Sequence, residues 1–215
     1  MSRDRAQALV AVATALTWSN LMLPRLGLGN RGRTAANAVF ATAFDRTIHA
    51  TNPDLAPVPW TSREGTALGV AVAAVPVAGY GVIASVPTLR EAVAGHAGEH
   101  RTPLEFAEWI GLHIPVGTVY AEEAIFRGTL DPLLESVFGV EIGSTVAALT
   151  FGLWHIHPAR AAGDNVAATV VATAVAGYGF GFLRRRGGSL AAPAFVHLAI
   201  NVVGALTTRL GSDAR

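Results

Sequence analysis

Uncharged stretches long enough to matter alternate along this chain with short clusters of charge. Ala6 to Pro24 is the first, 19 residues without a charged side chain. As a helix it would cover about 28 Å, close to the ~30 Å hydrocarbon thickness of a bilayer. Its charged start also suits a cleaved signal peptide, but the apolar run is long for one and the rest of the chain is just as apolar, so a retained span is expected. Gly65 to Leu89 gives 25 uncharged residues, with Pro76 predicting a kink, and Asn165 to Leu183 gives another 19. Thr34 to Ala50 is helical in pattern but carries Asp45, Arg46 and His49 near its end. It reads either as a short span or as an amphipathic helix at the interface. Pro103 suits the first turn of a further helix, with Glu105 and Glu108 near its positive end, and Pro115 is expected to interrupt it. Helical spacing resumes through Leu130, Leu133, Leu134 and Val137 to Gly139. Ile142 to Trp154 is apolar again. Arg184-Arg185-Arg186-Gly187-Gly188 reads as a helix stop, after which Ser189 can cap a last helix running to about Leu210.

This pattern predicts an all-α, polytopic membrane bundle with about six to eight membrane segments. Composition agrees. Charged residues make up 14% of the 215, against roughly 25% in soluble domains. The 23 glycines are of the kind that lets membrane helices approach closely. A net charge of +1 gives no reason to expect nucleic acid, and the absence of cysteine excludes disulfides, thiolate metal sites and a Cys nucleophile. The loop Asn52 to Glu64, with three prolines and Trp60, is expected at the interface, and Arg90 to Arg101 outside the hydrocarbon. By the positive-inside rule the Arg184–Arg186 loop favours the cytoplasm, and the loop with Arg25, Arg31 and Arg33 competes. Whether they share a side depends on whether the 34–50 segment spans.

Ala121-Glu122-Glu123-Ala124-Ile125-Phe126-Arg127-Gly128 stands out against this background. One ionisable group at the centre of a spanning helix costs at least ~2.5–3.5 kcal/mol, and here three fall within six residues. On a helix Glu123 and Arg127 are four apart and can pair. Glu122 points about 100° away from Glu123 and is left for chemistry. Two other spans hold polar residues: Phe151-Gly152-Leu153-Trp154-His155, and His197-Leu198-Ala199-Ile200-Asn201, where His197 and Asn201 share a face. His157, next to Pro158, is read as a helix-end residue, and His49, His96, His100 and His113 as loop, interfacial or packing residues.

Glu122-Glu123-x-x-x-Arg127, Phe151-x-x-x-His155 and His197-x-x-x-Asn201 resemble the three ordered motifs of the CPBP family, which comprises CAAX prenyl endopeptidases and the bacterial Abi proteins linked to bacteriocin processing or self-immunity. The glycine after Arg127 and the Gly-Ser-Leu-x-x-Pro run before His197 are also similar to bacterial members. The resemblance covers about residues 104–206, which divides the chain into 1–103, membrane helices without family features, and 104–210, a catalytic core, within one membrane domain. It implies an intramembrane glutamic endopeptidase acting on membrane-associated peptides or proteins, a multi-pass protein of a bacterial-type cell membrane. Glu122 matches the catalytic glutamate, His155 its partner in orienting water, and His197 and Asn201 the residues that stabilise the oxyanion; Glu123 and Arg127 complete the first motif. The chemistry is sound, because a buried carboxyl group holds its proton more readily and can serve as base and then acid.

Three rival readings use the same residues. One carboxylate and two histidines also make a Zn²⁺ set. The histidines do not share a His-Glu-x-x-His helix, however, and neither has a carboxylate nearby in sequence to hold its second nitrogen. No metal and no cofactor are therefore expected. A transporter could use Glu122 and His155 as a proton relay, but no inverted repeat is visible. A non-catalytic immunity or scaffold protein would keep the motifs for packing alone.

Overall fold

The computed structural model describes residues 3–94 and 101–212, so His96 and His100 lie outside the described residues. The described chain is an all-α bundle without a strand. Helix α1 spans Arg3–Arg25. It is followed by α2 (Asn30–Thr51), α3 (Arg63–Ser85), the short α4 (Pro87–Ala94) and α5 (residues 103–138). Then come α6 (Val140–Trp154), α7 (Ile156–Ala162), α8 (Val166–Gly187) and α9 (Ala191–Ser212). Among the described residues α1, α3, α8 and α9 are the four helices long and apolar enough to cross a membrane. Val70, Val75 and Val82 on α3 and Val171, Val175 and Phe182 on α8 are exposed. In water such faces would drive association; against lipid they match their surroundings.

Local chemistry sets the ends. Ser62 accepts a hydrogen bond from Gly65 N–H at the start of α3, and Thr102 and Glu105 close a reciprocal cap on α5, with Pro103 behind it. Gly139 and Gly188, at φ 80° and 64°, end α5 and α8 in a conformation that favours glycine. Ser189, ahead of α9, accepts a hydrogen bond from the Ser62 hydroxyl at 3.0 Å, which ties the starts of α3 and α9 together.

Two expectations change. Pro115 does not interrupt α5. The helix widens instead, with π-helical turns at Trp109–Tyr120 and Glu123–Leu130. A proline has no N–H to give, and wide i→i+5 turns reassign the neighbouring bonds without breaking the rod. The Asp131 N–H thus donates to the Phe126 carbonyl, five residues back. The second change concerns α2, which is longer than the 34–50 segment and is not one of the four candidate spans. It runs beside α5 in the same direction, with Asn37 donating to the Gly117 carbonyl and Thr129 donating to Asp45. A Cβ on Gly117 would stand 2.7 Å from the Thr34 hydroxyl, so glycine is what lets the two helices meet.

One core holds the bundle together. Ala8, Ala11, Ala15 and Trp18 of α1 and Phe44 and Ile48 of α2 pack with Ile125, Phe126, Phe151, Trp154 and Phe180.

Candidate active site

Glu122 stands in α5 between its two wide turns, and Glu123 opens the second. The Glu123 side chain is fully buried (0% exposed). Its Oε1 lies 2.8 Å from His197 Nδ1 on α9 and 3.6 Å from Arg127 Nη1, the latter an ionic contact with no hydrogen bond. Arg127 is 1% exposed, donates to the Gly177 carbonyl on α8 at 3.4 Å, and lies over the rings of Phe151 and Phe180. Ring faces offset part of what a buried cation loses in hydration.

With Glu123 ionised against Arg127, His197 Nδ1 is the donor, which fixes the tautomer and leaves Nε2 bare in the neutral ring. That nitrogen is 3.8 Å from Glu122 Oε2. His155 is arranged in the same way. Its Nδ1–H donates to the Phe151 carbonyl at 2.8 Å, and its Nε2 lies 3.9 Å from the same Glu122 oxygen. Glu122 Oε1 accepts the Trp154 indole N–H at 3.2 Å, while Oε2 is buried with no hydrogen-bond partner. One carboxylate oxygen therefore faces two imidazole nitrogens at distances too long for direct bonds and suited to a shared water.

This point opens into a cavity of about 320 Å³ lined by Asn37, His113, Glu122, Trp154, His155 and Asn201, among others. Asn201 spends one N–H on the His197 carbonyl at 3.0 Å, which leaves its second N–H uncommitted. A larger hollow of about 810 Å³ lies between Arg3, Thr51 and Leu133, apart from all these residues. His155 reaches its place because α6 stops at Trp154 and the backbone turns at φ −89°, ψ 4°. Gly152 lets α6 press on α8, since a Cβ there would stand 2.6 Å from the Val170 carbonyl.

Three helices thus bring Glu122, His155, His197 and Asn201 together, with Glu123 and Arg127 behind them. Glu123 differs from the sequence expectation in one respect: its hydrogen-bond partner is His197, and Arg127 stands further off. The partners that the nearby sequence does not offer the two histidines come from the fold. Glu123 holds His197 and a backbone carbonyl holds His155. Among the described residues, no three His, Asp or Glu side chains are grouped so as to hold a metal ion. His113 is buried, bonded to the Thr34 hydroxyl at 2.7 Å, and lines the cavity. Trp154 had no role assigned from sequence, although a buried indole N–H needs an acceptor; beside His155 it pointed to one.

The sequence profile of the family described as type II CAAX prenyl endopeptidase, Rce1-like, matches residues 105–203. Over these 99 of the 215 residues the chain is similar to this family. The Rce1-like region contains all six residues above and leaves α1 to α4 outside it. No curated protein and no solved structure matches the chain. The match supports a peptide hydrolase of the membrane. The Rce1-like helices do not close their own core, which takes Trp18, Leu23 and Phe44 from the preceding helices.

Proposed function

We propose that the protein is an intramembrane endopeptidase in which Glu122 activates the attacking water. A water between Glu122 Oε2 and His155 Nε2 gives a proton to Glu122 as its oxygen attacks the peptide carbonyl carbon. The tetrahedral intermediate places its negative oxygen against the free N–H of Asn201 and against His197 Nε2. The latter donates only when the ring carries both protons, with the Glu123 carboxylate on its other nitrogen. The carbon–nitrogen bond then breaks, Glu122 returns its proton to the leaving amine, and the carboxylate is restored. Oxyanion donors of this kind contribute on the order of 3–4 kcal/mol each.

The observation that carries the reading is the unpartnered Glu122 Oε2 facing the Nε2 atoms of His155 and His197, with Glu122 and His155 lining a cavity. The substrates are peptides or proteins held at the membrane, the protein working as a multi-pass component of the cell membrane. A prenylated CAAX peptide is the first probe, because the family's description names it. Glu122→Gln preserves volume and should abolish cleavage of a quenched prenyl-CAAX peptide. In whole membranes it should remove the neo-termini seen with wild type, while the folded yield is unchanged. Normal turnover by this variant would take Glu122 out of the mechanism.

A further inference from the structure

Two helical hydrogen bonds are missing at the α6–α7 junction. In an unbroken helix the His157 N–H would donate to the Leu153 carbonyl, four residues back, and the Trp154 carbonyl would receive the N–H of residue 158. The turn at His155 separates the first pair, and Pro158 has no N–H for the second. Both gaps are filled from α1. Asn20 Nδ2 donates to the Leu153 carbonyl at 3.1 Å, and Asn20 Oδ1 accepts the His157 N–H at 2.8 Å. One amide group thus stands in the place of the missing backbone bond. Ser19, buried at a wide turn of α1, donates its hydroxyl to the Trp154 carbonyl at 2.7 Å. The three residues so held, Leu153, Trp154 and His157, stand on either side of His155 and include the indole that, with the His155 ring, faces Glu122.

We propose that Ser19 and Asn20 are positioning residues for this site. The first span, which lies outside the Rce1-like region, holds open the break that aims His155 and Trp154 at Glu122. The proposal rests on the peptidase reading for its catalytic consequence and on geometry alone for the clamp.

The test uses full-length protein, a quenched prenyl-CAAX peptide and ¹⁵N-histidine NMR. Asn20→Leu keeps the bulk and removes both bonds. It should lower kcat on the order of 100-fold, the scale of a misplaced catalytic group, with KM changed less than about 2-fold. Combined with His155→Ala it should cost far less than it does alone, because most of the clamp's effect passes through that ring and only the part carried by Trp154 remains. Ser19→Thr should recover most of what Ser19→Ala loses. Asn165→Ala, which removes a cap on α8 remote from the cavity, serves as the control for general loosening. Unchanged kcat in Asn20→Leu, or multiplying losses in the double variant, would overturn the proposal. If wild type fails to cleave any membrane peptide, the peptidase reading falls, and the His155 ring shifts then decide the clamp: moved by Asn20→Leu and not by Asn165→Ala supports it, and unmoved by both overturns it.

Discussion

Adjacent in the chain, Glu122 and Glu123 meet different surroundings. Glu123 is sealed against His197 and Arg127, while Glu122 lines a cavity, with one oxygen on an indole and the other buried without a hydrogen-bond partner. Removing each should therefore fail differently. Glu123→Ala leaves a cation 1% exposed without its carboxylate and His197 without its acceptor, a loss of ~3–5 kcal/mol for a buried pair broken on one side. Its melting temperature in detergent should fall well below that of Glu122→Gln; equal values would mean the two roles are divided wrongly. The histidines raise a second question at this level. Their fixed Nδ1 atoms would suit a metal ligand as well as a water-orienting base, so dialysis against a strong chelator decides. The expected outcome is undiminished peptidase activity and no stoichiometric zinc by elemental analysis. Activity lost on chelation and restored by zinc would make this a metallopeptidase.

The helices position these groups through close contacts between small residues. Gly152 meets α8 at the Val170 carbonyl, and the Arg127 guanidinium reaches the Gly177 carbonyl on the same helix. Gly152→Ala puts a methyl group 2.6 Å from that oxygen, so α6 must shift away from α8 and carry Trp154 and His155 with it. A loss of about 1–3 kcal/mol in stability is expected for such overpacking, together with a drop in turnover. The turnover separates this from simple destabilisation: at temperatures where the variant is fully folded, activity should still be reduced. The wide turns of α5 belong here too. They let a helix containing Pro115 run on to Gly139, so that residues near Glu108 and residues near Glu135 lie on one rod.

Across the bundle, Arg31 pairs with Glu108 at one end of α5, and Arg184 and Arg185 pair with Glu135 near the other. These ends are about 30 Å or more apart along the helix. The two arginine-rich loops therefore lie at opposite ends of α5. The same through-bundle organisation predicts that the Rce1-like part does not stand alone. A fragment of residues 102–215 lacks Trp18, Phe44 and Ile48 of the core and the Ser19–Asn20 clamp. It should not give a monodisperse, peptidase-active sample in detergent; an active fragment would show that α1 to α4 are dispensable.

Apolar runs and their charged boundaries were enough to determine a helical membrane bundle, because a span of lipid demands about 20 apolar residues and this demand is local. The motif residues Glu122, His155, His197 and Asn201 were legible for a related reason, since polar groups are costly in apolar spans and so stand out. What each of them touches was decided only by the tertiary structure. Glu123 lies 74 residues from the histidine it orients, and Asn20 lies 137 from the amide it accepts. No periodicity connects positions so far apart, and a hydrogen bond between two helices depends on their approach, which packing against α8 and α2 sets.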